Sequence, residues 1–170
     1  MTKKVLVATS LTAIFVASMI MVPAFAGGHL TFDEVEVEGR SLEIEVTADI
    51  PQDGSAGAFG YGAFGTKAIL AIATHGGVGP DSESQTGAAD PVLHTHAVTA
   101  KTVTPCPSGL AIASASFEEV GDLEVDGNEI EVENISKKKI GKLTGTIVSF
   151  TLTLVGGDIC INVVDSATSD

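Results

Sequence analysis

Glu34-Val35-Glu36-Val37-Glu38-Gly39-Arg40-Ser41-Leu42-Glu43-Ile44-Glu45-Val46 is the stretch that decides the fold class. Acidic and apolar residues alternate on both sides of Gly39-Arg40, and a period of two marks a strand with one buried face. Gly39 interrupts the alternation with the residue type that a two-residue hairpin turn needs. The segment therefore predicts an antiparallel hairpin burying Val35, Val37, Leu42, Ile44 and Val46. The pattern returns at Asp122 to Glu133 around Gly127-Asn128, with Leu123, Val125, Ile130 and Val132 on the buried face. Aligned on the two glycines, the segments match without a gap. Hairpins of this type converge on such a pattern, and an old duplication is the alternative reading. A two-residue loop sets Glu36 opposite Glu43 and Glu124 opposite Glu131, a like-charge pairing that costs stability. No Asp-rich loop with calcium-ligand spacing accompanies them, so the expectation is a solvated acidic face.

Outward from the hairpins, Lys67 to His75, Val92 to Val103, Leu110 to Phe117, Leu143 to Leu154 and Ile159 to Val164 are further strand candidates, rich in β-branched residues. No stretch has a convincing helical period. Eight or nine strands bounded by turns predict an all-β domain, an antiparallel β-sandwich or jelly roll. Gly54 to Gly65, with Phe59, Tyr61 and Phe64 among its glycines, and Gly76 to Pro91 are read as two long loops flanking one strand. Long loops on a rigid β scaffold are the usual place for a site. The glycines of the first do not make a phosphate loop, because no helix follows and Lys67 is the only basic residue nearby.

The chain has 170 residues, the size of one domain. Its 44% apolar content permits a real core, and 22 Asp and Glu against 9 Lys and Arg give a formal net charge of −13. That charge opposes sustained contact with phosphate backbones, so no nucleic-acid partner is expected. Residues 1–26 read as a secretory signal: Lys3 and Lys4, an apolar stretch from Val5 to Val22, then Ala24-Phe25-Ala26 as a cleavage site. The expected mature domain is 27–170, secreted and extracellular, periplasmic or cell-surface, with no stable membrane insertion once the signal is gone. Loss of Lys3 and Lys4 would take the net charge from −13 to −15. Cys106 and Cys160 are the only cysteines, and in an oxidising compartment they predict one disulfide. It would close a loop of about 50 residues and stabilise by roughly 3–4 kcal/mol in the chain-entropy model.

Three of the four histidines fall within one window: His75 at the end of its strand, then His94 and His96. Residues i and i+2 of a strand point to one face about 6–7 Å apart, close enough for two imidazoles to converge on one ion. His75 joins them if the chain between folds back. Asp81, Asp90 and Glu83 in the connecting segment are candidate further ligands, with water as the alternative. Imidazole ligation favours zinc or copper over calcium. A blue-copper site is excluded, since Met1, Met19 and Met21 all lie in the signal and no His follows either Cys. The His94-x-His96 strand resembles that of the copper-zinc superoxide dismutases, but that family needs several more His ligands than this chain contains, so none of its roles is carried over. Surface imidazoles, or core imidazoles satisfied by carbonyls, are the bland alternative. Cleavage after Ala26 would also create the terminus Gly27-Gly28-His29, whose amine, two amide nitrogens and imidazole suit square-planar Cu(II).

Nucleophilic catalysis has little support, because the cysteines pair and no Gly-x-Ser-x-Gly occurs. The sequence thus predicts a secreted protein binding zinc or copper through His75, His94 and His96. A cell-surface or envelope interaction module without metal is the rival. A small metalloenzyme with an open metal position is a third reading.

Overall fold

The computed structural model describes residues 27–78 and 91–169, which form ten strands and one 3-10 turn, Gly28–Leu30. The strands are β1 (Phe32–Glu38), β2 (Ser41–Val46), β3 (Phe59–Gly65), β4 (Ile69–Ala73), β5 (His94–Thr102), β6 (Leu110–Ala115), β7 (Asp122–Asp126), β8 (Glu129–Glu133), β9 (Leu143–Val155) and β10 (Asp158–Thr168). Both acidic hairpins form as their alternation predicts. Gly39 (φ 61°) and Gly127 (φ 60°) open the two turns in the left-handed region, where a side chain would be strained.

The hairpins join through β2 and β8 into a four-stranded sheet of order β1-β2-β8-β7. Leu42 pairs with Val132 and Ile44 with Ile130, a local twofold relation between the two matching sequences. This register also lines up carboxylates across the whole sheet. Glu36 faces Glu43, Glu43 faces Glu131 and Glu131 faces Glu124, all on the outer face. On the inner face Leu42, Ile44, Val46, Ile130 and Val132 are fully buried.

The other six strands close into a barrel, in the order β10-β6-β5-β4-β3-β9. A closed barrel carrying a separate sheet corrects the expected sandwich or jelly roll of eight or nine strands. The difference lies in Phe59–Gly65, read as part of a loop because of its glycines. It forms β3, pairing with β4 on one side and β9 on the other, and so supplies the strand that closes the ring. Glycine permits this: a Cβ on Gly60 would lie 2.3 Å from the Ile72 carbonyl oxygen and 2.8 Å from Ala73. On the opposite face of the same strand, Phe59, Tyr61 and Ala63 are buried against the inner face of the four-stranded sheet, in one core with Leu70, Ile72 and Ile147. Each large aliphatic side chain buried there contributes about 1.5–3 kcal/mol of transfer free energy.

The barrel seam is narrow. Cys160 and Ala111 are the register pair between β10 and β6. The Cys106–Cys160 disulfide, with a Cα separation of 5.3 Å, secures it as the paired cysteines predict. Ser108 adds a hydroxyl bond to the Ile161 carbonyl. No helix among the described residues is long and apolar enough to cross a membrane.

Candidate metal centre

β4 and β5 are antiparallel neighbours in which Ala73 lies opposite His94 and Ala71 opposite His96. The alternation of β5 puts His94, His96 and Val98 on one face, and Val98 and His96 line the barrel interior. Beyond Ala73 the chain is held firmly. The Thr74 hydroxyl donates to the Gly57 carbonyl (2.9 Å) and accepts from the Phe59 amide (3.2 Å), tying the end of β4 to β3. Gly76 then turns with φ 50°, so close to the segment leading into β3 that a Cβ would lie 2.1 Å from the Ala58 nitrogen. The Val78 amide donates to the His75 carbonyl (2.7 Å) and completes the turn. These contacts fix the backbone of His75 at the same barrel end as His94.

The three imidazoles pack as one cluster. Ring centroids are 4.5 Å apart for His75 and His94, 4.8 Å for His94 and His96, and 6.0 Å for His75 and His96. All three are 2–3% exposed. One ligating nitrogen from each lies within 4.8 Å of the others. Around a tetrahedral ion with metal–nitrogen bonds of about 2.0–2.1 Å, ligand nitrogens stand about 3.3 Å apart. His75 Nε2 and His94 Nε2, at 2.8 Å, are already within that spacing. Closing the widest gap takes side-chain movements of about 1 Å. The cluster can hold a metal ion.

Hydrogen bonding decides which nitrogens are available. His94 Nδ1 lies 3.0 Å from the Val92 carbonyl oxygen, and His96 Nδ1 lies 2.6 Å from that of Ser116. A carbonyl oxygen only accepts, so both Nδ1 atoms carry the proton and both Nε2 atoms present a lone pair while the rings are neutral. A carbonyl on the far nitrogen is also the usual support of a metal-bound histidine. His96 Nε2 is buried and meets no donor among the described residues. Burial lowers the His96 pKa. Its neighbours His94 and His75 add to that effect, while the Ser116 carbonyl and the charge of Glu119 oppose it. The lone pair is thus held unprotonated at neutral pH, in a place where an unpartnered acceptor is costly.

The remaining sequence candidates add no described ligand to the cluster. Asp81, Glu83 and Asp90 fall outside the described residues. His29 sits on the 3-10 turn, packed edge-on against Phe59 with centroids 4.8 Å apart, and burial lowers its pKa. It is not in the cluster. Tyr61 holds that turn by donating its hydroxyl to the His29 carbonyl, and burial keeps the phenol protonated. The Val92 and Ser116 carbonyls, Thr74 and Gly76 shape the site without being legible as site residues, because backbone carbonyls and turn contacts have no motif of their own. No family model, curated protein or solved structure matches this chain.

Proposed function

We propose that this is an exported, disulfide-bonded β-protein that binds one zinc or copper ion through the Nε2 atoms of His75, His94 and His96. The observation that carries the reading is the buried Nε2 lone pair of His96, without a donor among the described residues and beside two further imidazoles. A d-block ion accepts such lone pairs, and imidazole suits zinc and copper better than calcium. Export accords with the signal-like residues 1–26 and with the disulfide. Three protein ligands leave one coordination position for water, a further side chain or a substrate. The catalytic variant of this reading depends on that position being open.

The rival is an interaction module in which the same histidines form a metal-free polar cluster. In it His75 Nε2 carries a proton and donates to His94 Nε2, while the His96 lone pair is left as a standing cost. Metal analysis of protein purified from its own compartment, with titration of the stripped protein by Zn(II), Cu(II) and Co(II), separates the two. One tightly held ion per chain, lost in His96→Ala, is the expected result. Substoichiometric metal together with no binding by the stripped protein would favour the module. A second, weaker reading concerns the mature terminus. The His29 ring folds back over Gly27, its Nδ1 lying 2.5 Å from where a Gly27 Cβ would be, and this is the direction a terminal Cu(II) chelate of Gly27-Gly28-His29 requires. His29→Ala should remove that chelate alone.

A further inference from the structure

The barrel encloses a cavity of about 180 Å³ that metal binding does not use. Gly62, Ala71, Val98, Ile112, Phe150 and Ile161 contribute to its wall, one from each strand, so the cavity is the lumen itself. A ring this small is ordinarily filled by its own inward side chains. Here glycine and alanine occupy wall positions on β3 and β4, and Ala100 and Ala115 do the same on β5 and β6, so the space stays open. Among the described residues no polar atom faces it, and the histidines at its inner end contribute carbon faces only.

The two ends differ. The wall residues Thr74, His75 and His96 are 1–3% exposed and close the inner end. At the opposite end the wall residues Phe64, Leu110 and Val163 are 37%, 38% and 48% exposed. Apolar side chains left open to water around an apolar void form the mouth of a chamber rather than a packing defect sealed in a core. A dry cavity of about 150 Å³ lined by aliphatic and aromatic side chains accommodates benzene. We infer that the barrel lumen is a binding chamber for a small hydrocarbon-like molecule, one aromatic ring with a short alkyl substituent in size, entering between Phe64, Leu110 and Val163. A polar group carried inward would lose its water and find no partner, so the chamber selects against it. This inference stands apart from metal binding.

The probes are toluene and phenol, nearly equal in shape and different in one hydroxyl. Toluene should move the methyl NMR resonances of Val98, Ile112, Val148 and Leu152 saturably, in metal-stripped and zinc-loaded protein alike. Phenol should bind at least about tenfold more weakly, the ratio expected from burying one unpaired hydroxyl. Ala71→Leu fills the lumen and should abolish toluene binding. Ala100→Leu, at an exposed wall position, should weaken it at least about tenfold. Phenol binding as well as toluene, shifts confined to surface methyls such as those of Leu154, or undiminished binding in Ala100→Leu would each overturn the inference. Because the stripped protein is titrated too, a failure of metal binding leaves this result readable.

Discussion

Metal-linked stability tests the His75, His94 and His96 reading most directly. An ion that binds only the folded chain stabilises it by RT ln(1 + [M]/Kd), about 2.7 kcal/mol when free metal is 100 times Kd. The three ligands come from the end of β4 and the start of β5, strands of one cooperative barrel, so this free energy should appear in global unfolding. For a domain of this size each kcal/mol moves Tm by about 2–4 °C, which predicts a rise of about 5–11 °C, reversed by a chelator. His96→Ala removes the bare Nε2 together with the Nδ1 bond to Ser116. The variant should start about 1–3 kcal/mol less stable, through the lost bond and the cavity, and should show no metal-dependent rise. Differential scanning fluorimetry of both proteins, each with chelator and with buffered Zn(II) or Cu(II), reads all four values. An unchanged wild-type Tm would sink the reasoning, and so would an equal rise in His96→Ala.

Gly76→Ala should destabilise the fold by about 2–4 kcal/mol and weaken metal binding at least tenfold, since φ is 50° and the added Cβ meets the Ala58 backbone; chemical denaturation and metal titration check both. Reduction of Cys106–Cys160, or Cys160→Ser, releases a constraint spanning 54 residues and should cost about 4 kcal/mol in the chain-entropy model, with hydrogen exchange rising first along β6 and β10. On the acidic sheet, local desolvation and then the charges of Glu129, Glu36, Glu131 and Glu34 raise the Glu43 pKa. A carboxyl raised on folding contributes stability that is full below its unfolded pKa and lost as pH rises through the folded one. The protein should therefore gain stability from this group as pH falls from neutrality into the carboxylate range. Glu43→Gln should stabilise it at pH 7 and low salt by about 0.5 kcal/mol, the scale of one exposed cross-strand pair, and the gain should vanish near 1 M NaCl.

The alternation around Gly39 and Gly127 was sufficient by itself to determine both hairpins, their turns and their register, because shifting a strand by one residue would bury every glutamate and expose every valine. The disulfide was legible for a similar reason: with two cysteines only one pairing exists. The His94-x-His96 face also followed from strand geometry, which is local. What local pattern could not decide was the partner of each strand. Phe59–Gly65 looks like a loop when its glycines are weighed by intrinsic preference. It is a strand because β4 and β9 flank it, and Gly60 is required where the β4 backbone comes too close for a side chain. That one strand turns an open sheet into a barrel and creates the lumen. It also gives Thr74 and Gly76 the neighbours that hold His75 beside His94. The tautomer of His96 was likewise set by the tertiary structure. It depends on the carbonyl oxygen of Ser116, a group every residue carries, and only folding brings that one to this imidazole, whereas His94 takes its carbonyl from Val92, two residues away.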